Sequence, residues 1–350
     1  MNNQIKIKNK FIGENHPVFI VAEIGVNHNQ KKELAKKLIK SAKESGADAV
    51  KFQTWKTENI CLKDAPMAEY QIKNTGINVN QFDMLKTLEL PYAWHKELKE
   101  YAENLNMIFF STAEDEESID FLIKEVKIEI LKVGSGELTN YPLLSFTAKK
   151  KVPLIISTGM SNLCDIEKAL DVIYKNKNED IIICQCTSQY PAPIVDINLK
   201  AINTLKNTFK LPSGFSDHSI GDECSIAAVA LGAVYIERHF TLDRNLPGPD
   251  HKASLEPNEF KKMVIKIRNI EKALGNGIKK LMPSEIDTKN VVMRRIVASK
   301  DINLGEKINL SSVNFKKSNI GLESKDFDYI DGKTIKKSIK KNMVITNEYF

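Results

Sequence analysis

No stretch of the 350 residues stays apolar over the roughly 20 positions that a membrane helix needs. The opening MNNQIKIKNKF also lacks the apolar centre of a signal peptide. From these two absences we expect a cytoplasmic protein with no membrane segment. Cysteine is scarce: five in the chain, odd in number and without zinc spacing. With Cys184 and Cys186 inside an apolar run, the cysteines read as buried thiols kept reduced rather than as a disulfide frame. Neither sign of charge dominates, since 51 basic and 45 acidic side chains leave a formal net charge of +6. Such a mixed surface argues against a nucleic-acid partner and leaves small anionic substrates open. What is present is 42% hydrophobic residues, in a chain long enough for one large core and a smaller second one.

Short apolar runs alternate with segments of helical period from Val18 to about Leu274. The runs are VFIVAEIG (18–25), AVKFQT (49–54), MIFFST (107–112), ILKVGSG (130–136), PLIISTG (153–159), IIICQCT (181–187), SGFSDH (213–218) and YIERHF (235–240). Eight strands with helices between them predict a closed (β/α)8 barrel, a TIM barrel, rather than an open sheet. Residues 31–45 place Leu34, Leu38 and Ala42 on one helical face, with Gly46 as the stop. An insert over residues 55–91 breaks the rhythm after the second strand and should overhang the mouth of the barrel. Near Pro283 the pattern changes to short strand-like pieces, RRIVAS and ITNEYF, around an SKDINLGEKI turn, with no long helix. We therefore divide the chain into a barrel over 1–283 and a small domain over 284–350. The latter holds 13 Lys and Arg against 9 Asp and Glu, so +4 of the net charge lies there.

Each run ends in polar residues that a buried strand would not choose, and in a barrel these ends converge on one mouth. Lys51 and Lys132 sit in apolar runs where an unpaired charge would be expensive. Beside them fall the strand-end hydroxyls of Ser111, Thr112, Ser135, Ser157, Thr158, Thr187 and Ser188, and the set suits a phosphate or carboxylate. His218 and His239 end the seventh and eighth strands. Each alone could be a hydrogen-bonded core histidine, but on one rim they point to a divalent transition ion, with carboxylates or waters completing the site. His28 falls in a turn and ranks lower, while His16, His95 and His251 read as surface or supporting residues. Glu23 and Glu237 are candidate acid/base groups. For Glu237 the expectation is an ion pair with Arg238 or a neighbouring strand, with strand alternation aiming it away from His239.

Taken in order, VAEIGVNHN, AVKFQT, FFSTAEDEESIDFL, LKVGSGELTNYPLL, IISTGM, CTSQYPAP, GFSDH, IERHFTLDRNLPGPDHKASLEP and the SKDINLGEKI module resemble the sialic acid synthases over nearly the whole chain. The resemblance implies a TIM barrel followed by an antifreeze-like (SAF) domain. It also implies condensation of phosphoenolpyruvate with an open-chain N-acetylhexosamine, aided by a divalent metal, Mn2+ in the first place with Mg2+ or Co2+ as alternatives. By motif, Lys51, Thr112, Lys132, Ser135, Ser157, Ser188 and Ser216 would hold phosphoenolpyruvate, with Lys51 and Lys132 catalytic. His218 and His239 would hold the metal. Glu23, Gln53, Tyr190 and Asp250 would meet the sugar, Glu23 also moving a proton.

One position departs from the family. Where an Arg in a Lys-Arg-Pro segment usually reaches the partner subunit's sugar, this chain reads Asn314-Phe315-Lys316-Lys317-Ser318. Lys317 keeps the charge without the planar fork, and a domain-swapped homodimer remains the expected assembly. The insert around Tyr70 resembles the branch holding N-acetylneuraminate and N,N'-diacetyllegionaminate synthases, and the Gly248-Pro249-Asp250 loop argues against the pseudaminate branch. Between the first two, N-acetylmannosamine is the favoured sugar and the 2,4-diacetamido-trideoxy sugar the alternative. The competing readings are a lysine aldolase acting through Lys132 and a catalytically silent barrel that binds a sugar or a partner protein.

Overall fold

The structure, a computed structural model, describes residues 4–76 and 79–350. Its chain divides after Gly275 into two compact units, earlier than the boundary after residue 283 read from the sequence. The last barrel helix, Pro257–Leu274, ends there, and Gly275 takes a left-handed φ of 59°.

The first unit opens with an antiparallel hairpin, β1 (Gln4–Ile7) and β2 (Lys10–Gly13), which the sequence reading did not anticipate. The closed barrel follows: β3 (Phe19–Gly25), β4 (Ala49–Thr54), β5 (Ile108–Ala113), β6 (Leu131–Val133), β7 (Leu154–Ser157), β8 (Ile181–Cys186), β9 (Ser213–Asp217) and β10 (Tyr235–His239). All eight expected runs are strands. The ring closes where β10 pairs with β3, Tyr235 opposite Phe19 and His239 opposite Glu23.

Strand parity sorts the side chains into two cores, because successive residues face opposite sides. Ile20, Ala22, Ile24, Val50, Phe52, Phe109 and Ile236 face outward against the helices. Phe19, Val21, Ala49, Phe110, Ile130, Ile155, Cys184 and Tyr235 fill the lower lumen, which Ile5, Ile7 and Ile12 of the hairpin plug from below. The helix Lys32–Glu44 buries Ala35, Leu38, Ile39 and Ala42. Leu34, expected on this face, is only partly buried at its edge. The insert forms three short helices, Thr57–Ile60, Glu69–Thr75 and Gln81–Lys86, around a small core of Trp55, Met67, Met84 and Leu88 with Val26.

In the second unit β11 (Arg294–Ala298) pairs antiparallel with β12 (Val313–Lys317), Arg294 opposite Lys317. Ile296, Ile302, Ile308, Ile330, Ile335, Ile339 and Ile345 make its core. ITNEYF is not a strand: Val344 makes one bridge to Val297, and Asn347–Tyr349 is a 3-10 turn. Among the described residues no helix is long and apolar enough to cross a membrane.

Candidate active site

Moving up each strand from the plugged floor while keeping parity replaces apolar residues by polar ones. Val21 gives way to Glu23, Ala49 to Lys51 and Gln53, Phe110 to Thr112, Ile130 to Lys132, Ile155 to Ser157, and Tyr235 to Glu237 and His239. These side chains line a cavity of about 600 Å3 at the mouth, which holds all thirteen barrel residues proposed from the sequence. Lys317 belongs to the other unit, exposed at the end of β12.

The floor of the cavity is an ion network crossing the lumen. Lys132 Nζ donates to Glu237 Oε1 and Oε2 at 2.9 and 3.0 Å. Ser216 Oγ donates to Oε1 at 3.1 Å, and the Tyr235 hydroxyl donates to Oε2. Lys51 Nζ lies 2.9 Å from Glu23 Oε2 and 3.7 Å from Glu237 Oε1, and donates to Thr112 Oγ1 at 2.8 Å. Gln53 Nε2 donates to Glu23 Oε1 at 2.9 Å. Burial would raise the Glu237 carboxyl, but Lys132 and Lys51 hold it well below the carboxylate range. Burial likewise opposes the charge on Lys132, yet Glu237 prevails and keeps the amine above its ordinary value. Glu23 is the contrasting carboxyl: burial raises it and Lys51 offsets only part of that.

Glu237 was expected to turn away from His239 and to pair with Arg238 or a neighbouring strand. Instead it shares the lumen with His239, because residues two apart on a strand point the same way. Arg238 points outward and pairs with Asp217 at 2.8 Å. Glu237 is thus a named candidate whose direction and partner the sequence reading misplaced, and its parity with His239 is the signal that corrects it.

The two imidazoles stand on the rim with ring centroids 5.4 Å apart and planes inclined by 61°. His218 Nδ1 lies 2.8 Å from the Thr187 carbonyl oxygen, to which it donates, leaving the lone pair on Nε2. His239 Nδ1 has no hydrogen-bond partner and lies 3.6 Å from Asp250 Oδ2. Burial, then the neighbouring His218, pushes His239 well below the usual imidazole range, so it is neutral and free to ligate. Tyr190 packs 4.1 Å from the His218 ring and 5.4 Å from that of His239. Among the described residues no group of three or more His, Cys, Asp or Glu side chains is gathered as a metal cage. Two imidazoles beside Asp250, that of His239 neutral, fit an ion whose remaining positions are left for water or substrate.

The hydroxyls crowd around Gly159. Its backbone N–H donates to Ser135 Oγ at 3.1 Å, and the buried Ser157 Oγ has no partner at all. A Cβ on Gly159 would stand 2.3 Å from Ser188 Oγ and 2.8 Å from Ser135 Oγ. Both hydroxyls would have to rotate away. Gly159→Ala should therefore raise the KM for an anionic substrate about tenfold or more, the worth of one or two hydrogen bonds to a charged group, with little change in melting temperature. An unchanged KM would remove these serines from the anion site.

The insert overhangs the cavity as expected, contributing Ile60, Tyr70, Gln71, Met84 and Leu85 to its lining. Asn74 Nδ2 fastens it by donating to the carbonyls of Tyr190 (3.2 Å) and Pro249 (2.9 Å), and Tyr70 packs 5.1 Å from Tyr190. Two further cavity carboxyls are strongly perturbed. Burial, then Glu137, raises Glu114 to about 7, and burial, then Glu23, raises Asp250 to about 7. A carboxyl raised in the folded state binds its proton more tightly than in the unfolded chain, so stability falls as pH rises from the unfolded value to the folded one. The metal-free melting temperature should drop by a few degrees between about pH 4.5 and 7 from these groups, and Glu114→Gln should flatten that decline. A slope unaltered by the substitution would contradict the assignment.

Of the surface or supporting roles left open for His95 and His251, burial leaves the supporting one: His95 Nε2 meets Thr54 Oγ1 at 2.9 Å, and His251 Nδ1 meets Thr241 Oγ1 at 2.7 Å. His28 packs on Phe52, outside the lumen. The thiols of Cys184, Cys186 and Cys224 are buried as expected, whereas Cys61 is partly exposed and Cys164 exposed.

Comparison with known proteins agrees with this geometry. The NeuB family model matches residues 38–279 and the SAF domain model residues 294–349. The chain is 47% identical over 328 residues to the N,N'-diacetyllegionaminic acid synthase of Campylobacter jejuni, covering 93% of this chain and 98% of that one. It is 42% identical over 341 residues to the synthase of the same name from Legionella pneumophila, covering 96% of each. The crystal structure of an N-acetylneuraminic acid synthetase from Leptospira borgpetersenii superposes with a TM-score of 0.71 at 36% identity, over 83% of this chain and 97% of that one. A TIM barrel carrying this lumen, followed by a SAF domain, belongs to the NeuB family of sialic, legionaminic and pseudaminic acid synthases.

Proposed function

We propose that this chain condenses phosphoenolpyruvate and water with the open-chain aldehyde of 2,4-diacetamido-2,4,6-trideoxymannose, giving N,N'-diacetyllegionaminate and inorganic phosphate. The observation that carries the reaction is the lumen itself, where two charged lysines and a ring of hydroxyls face two imidazoles across one cavity. Lys51, Lys132, Thr112, Ser135, Ser157, Ser188 and Ser216 hold the phosphate and carboxylate, so the work of these residues is positioning and charge neutralisation. Glu23, Gln53, Tyr190 and Asp250 meet the sugar. Glu23, with its raised carboxyl, is suited to pass a proton at the aldehyde oxygen.

His218 and His239, beside Asp250, would hold a divalent ion, Mn2+ first and Mg2+ or Co2+ as alternatives. Such an ion supplies Lewis-acid polarisation of the aldehyde oxygen. Carbon 3 of phosphoenolpyruvate then bonds to the aldehyde carbon, water adds at C2, and phosphate departs. No Schiff base is needed, and a Lys132 held protonated by Glu237 is a poor nucleophile for one.

Two things support the diacetylated sugar over the N-acetylmannosamine favoured from sequence: the names of the relatives at 47% and 42% identity, and the apolar wall that Ile60, Met84 and Leu85 give the cavity. A 6-deoxy methyl and a second acetamido group suit that wall better than two hydroxyls do. A domain-swapped homodimer, with Lys317 acting on the sugar's acyl group, belongs to the same proposal. The deciding experiment is phosphate release from phosphoenolpyruvate with Mn2+ and each sugar side by side. Faster turnover of N-acetylmannosamine would overturn the sugar. Release with neither, together with a melting temperature unmoved by Mn2+ and phosphoenolpyruvate, would favour a silent barrel.

A further inference from the structure

The positions that alternate with the lumen residues of β9 and β10 carry a buried charge pair on the outer face of the barrel. Asp217 and Arg238 are each about 1% exposed and stand opposite one another in the β9–β10 ladder. Arg238 Nη1 lies 2.8 Å from Asp217 Oδ2, to which Ser225 Oγ also donates at 2.6 Å. Ser219 donates to Asp217 Oδ1 through its backbone N–H (2.8 Å) and its hydroxyl (2.7 Å). The Nε and Nη2 atoms of Arg238 have no hydrogen-bond partner. A buried pair with unmet donors is a weak source of stability, since desolvation offsets the attraction and apolar residues of like volume often do better. Its position in the ladder suggests another use.

Pairing between β9 and β10 runs Phe215–Ile236, Ser216–Glu237 and Asp217–Arg238, and stops there. His218 and His239 are the next residues on the two strands. His239 is still held on its other side by pairing with Glu23 of β3, but His218 lies beyond the end of β9. The ion pair is thus the last tie between the two strands before the imidazoles. Beyond His218, the bond from Ser219 N to Asp217 closes an Asx turn, so one carboxylate restrains the chain on both sides of that histidine.

We propose that Asp217 and Arg238 are positioning residues that set the separation and tilt of His218 and His239, and through them the affinity for a divalent ion. The proposal rests on the metal reading of the site. Isothermal calorimetry of Mn2+ on the full-length chain tests it with Arg238→Met, Asp217→Asn and Arg238→Lys, the last keeping the charge without the fork. Metal affinity should weaken about 10- to 100-fold in the first two, as when supporting partners of a ligand are lost, and by less in Arg238→Lys. The KM for phosphoenolpyruvate should stay within about twofold, because apart from Ser216 the residues that hold its anionic groups lie outside β9 and β10. Ser219→Ala, a milder change, covers the case in which the charge variants fail to fold, and should weaken Mn2+ binding about threefold or more. Parental metal affinity with a lowered melting temperature would make the pair structural only and overturn the proposal. If His239→Gln also binds Mn2+ normally, it is the metal reading that fails. A crystal structure of Arg238→Met then decides, since ring centroids still 5.4 Å apart would overturn the positioning role on their own.

Discussion

His239→Gln should lower turnover at least about a thousandfold while leaving the protein folded. Polarisation of a carbonyl by a bound ion is worth several kcal/mol in the transition state, and about 4 kcal/mol corresponds to that factor. The fold should survive because His239 Nδ1 makes no hydrogen bond within the protein and its backbone partners on β3 are unaffected by the side chain. His218→Gln should behave alike, with a small added stability loss from the bond to the Thr187 carbonyl. Combining the two should cost little more than either alone, since both would remove the same proposed ion. Steady-state rates with and without added Mn2+, alongside circular dichroism, check this. Retained activity in the double variant would remove the histidines from the chemistry.

Lys132→Met should have the largest effect on stability. It strands the Glu237 carboxylate, 5% exposed, with only the hydroxyls of Ser216 and Tyr235 and a more distant Lys51. Breaking a buried pair from one side typically costs about 3–5 kcal/mol, because the remaining charge is left uncompensated. Removing both charges, in Lys132→Met with Glu237→Gln, should recover more than half of that loss. The sign with pH follows from Glu237. Its folded pKa lies below the ordinary 4.5, so its contribution is fully present above that value and is lost on acidification. The single variant, deprived of that contribution, should differ most from the parent near neutral pH and least in acid. Denaturant titrations at both pH values measure it. Strictly additive single and double variants would mean that the two groups do not interact.

Both predictions depend on side chains whose strands were plain in the sequence and whose neighbours were not. The eight apolar runs, their polar ends and the overhanging insert could all be read from spacing, because barrel strands are short, buried and bounded by turns. The histidines and lysines were legible for the same reason: a charge in an apolar run needs a partner or a task. The N-terminal hairpin was not, since QIKI and KFIG are too short to be told from a polar leader until Ile5, Ile7 and Ile12 are seen plugging the barrel floor. Nor was the end of ITNEYF, whose β-rich composition loses to the 3-10 turn at Asn347–Tyr349.

By itself the sequence determined the order of elements, the (β/α)8 count, the second domain and the residue types that gather at one mouth. These follow from periodicity, which is a local property of the chain. The tertiary structure alone decided which residues meet across the lumen. Lys132 of β6 and Glu237 of β10 are 105 residues apart, on strands with no shared ladder, and they meet because barrel closure brings opposite walls within one side chain's reach. It likewise decided that Asp217 and Arg238 stand paired behind the two histidines, since register between neighbouring strands is set by the packing of the whole ring and not by either strand alone.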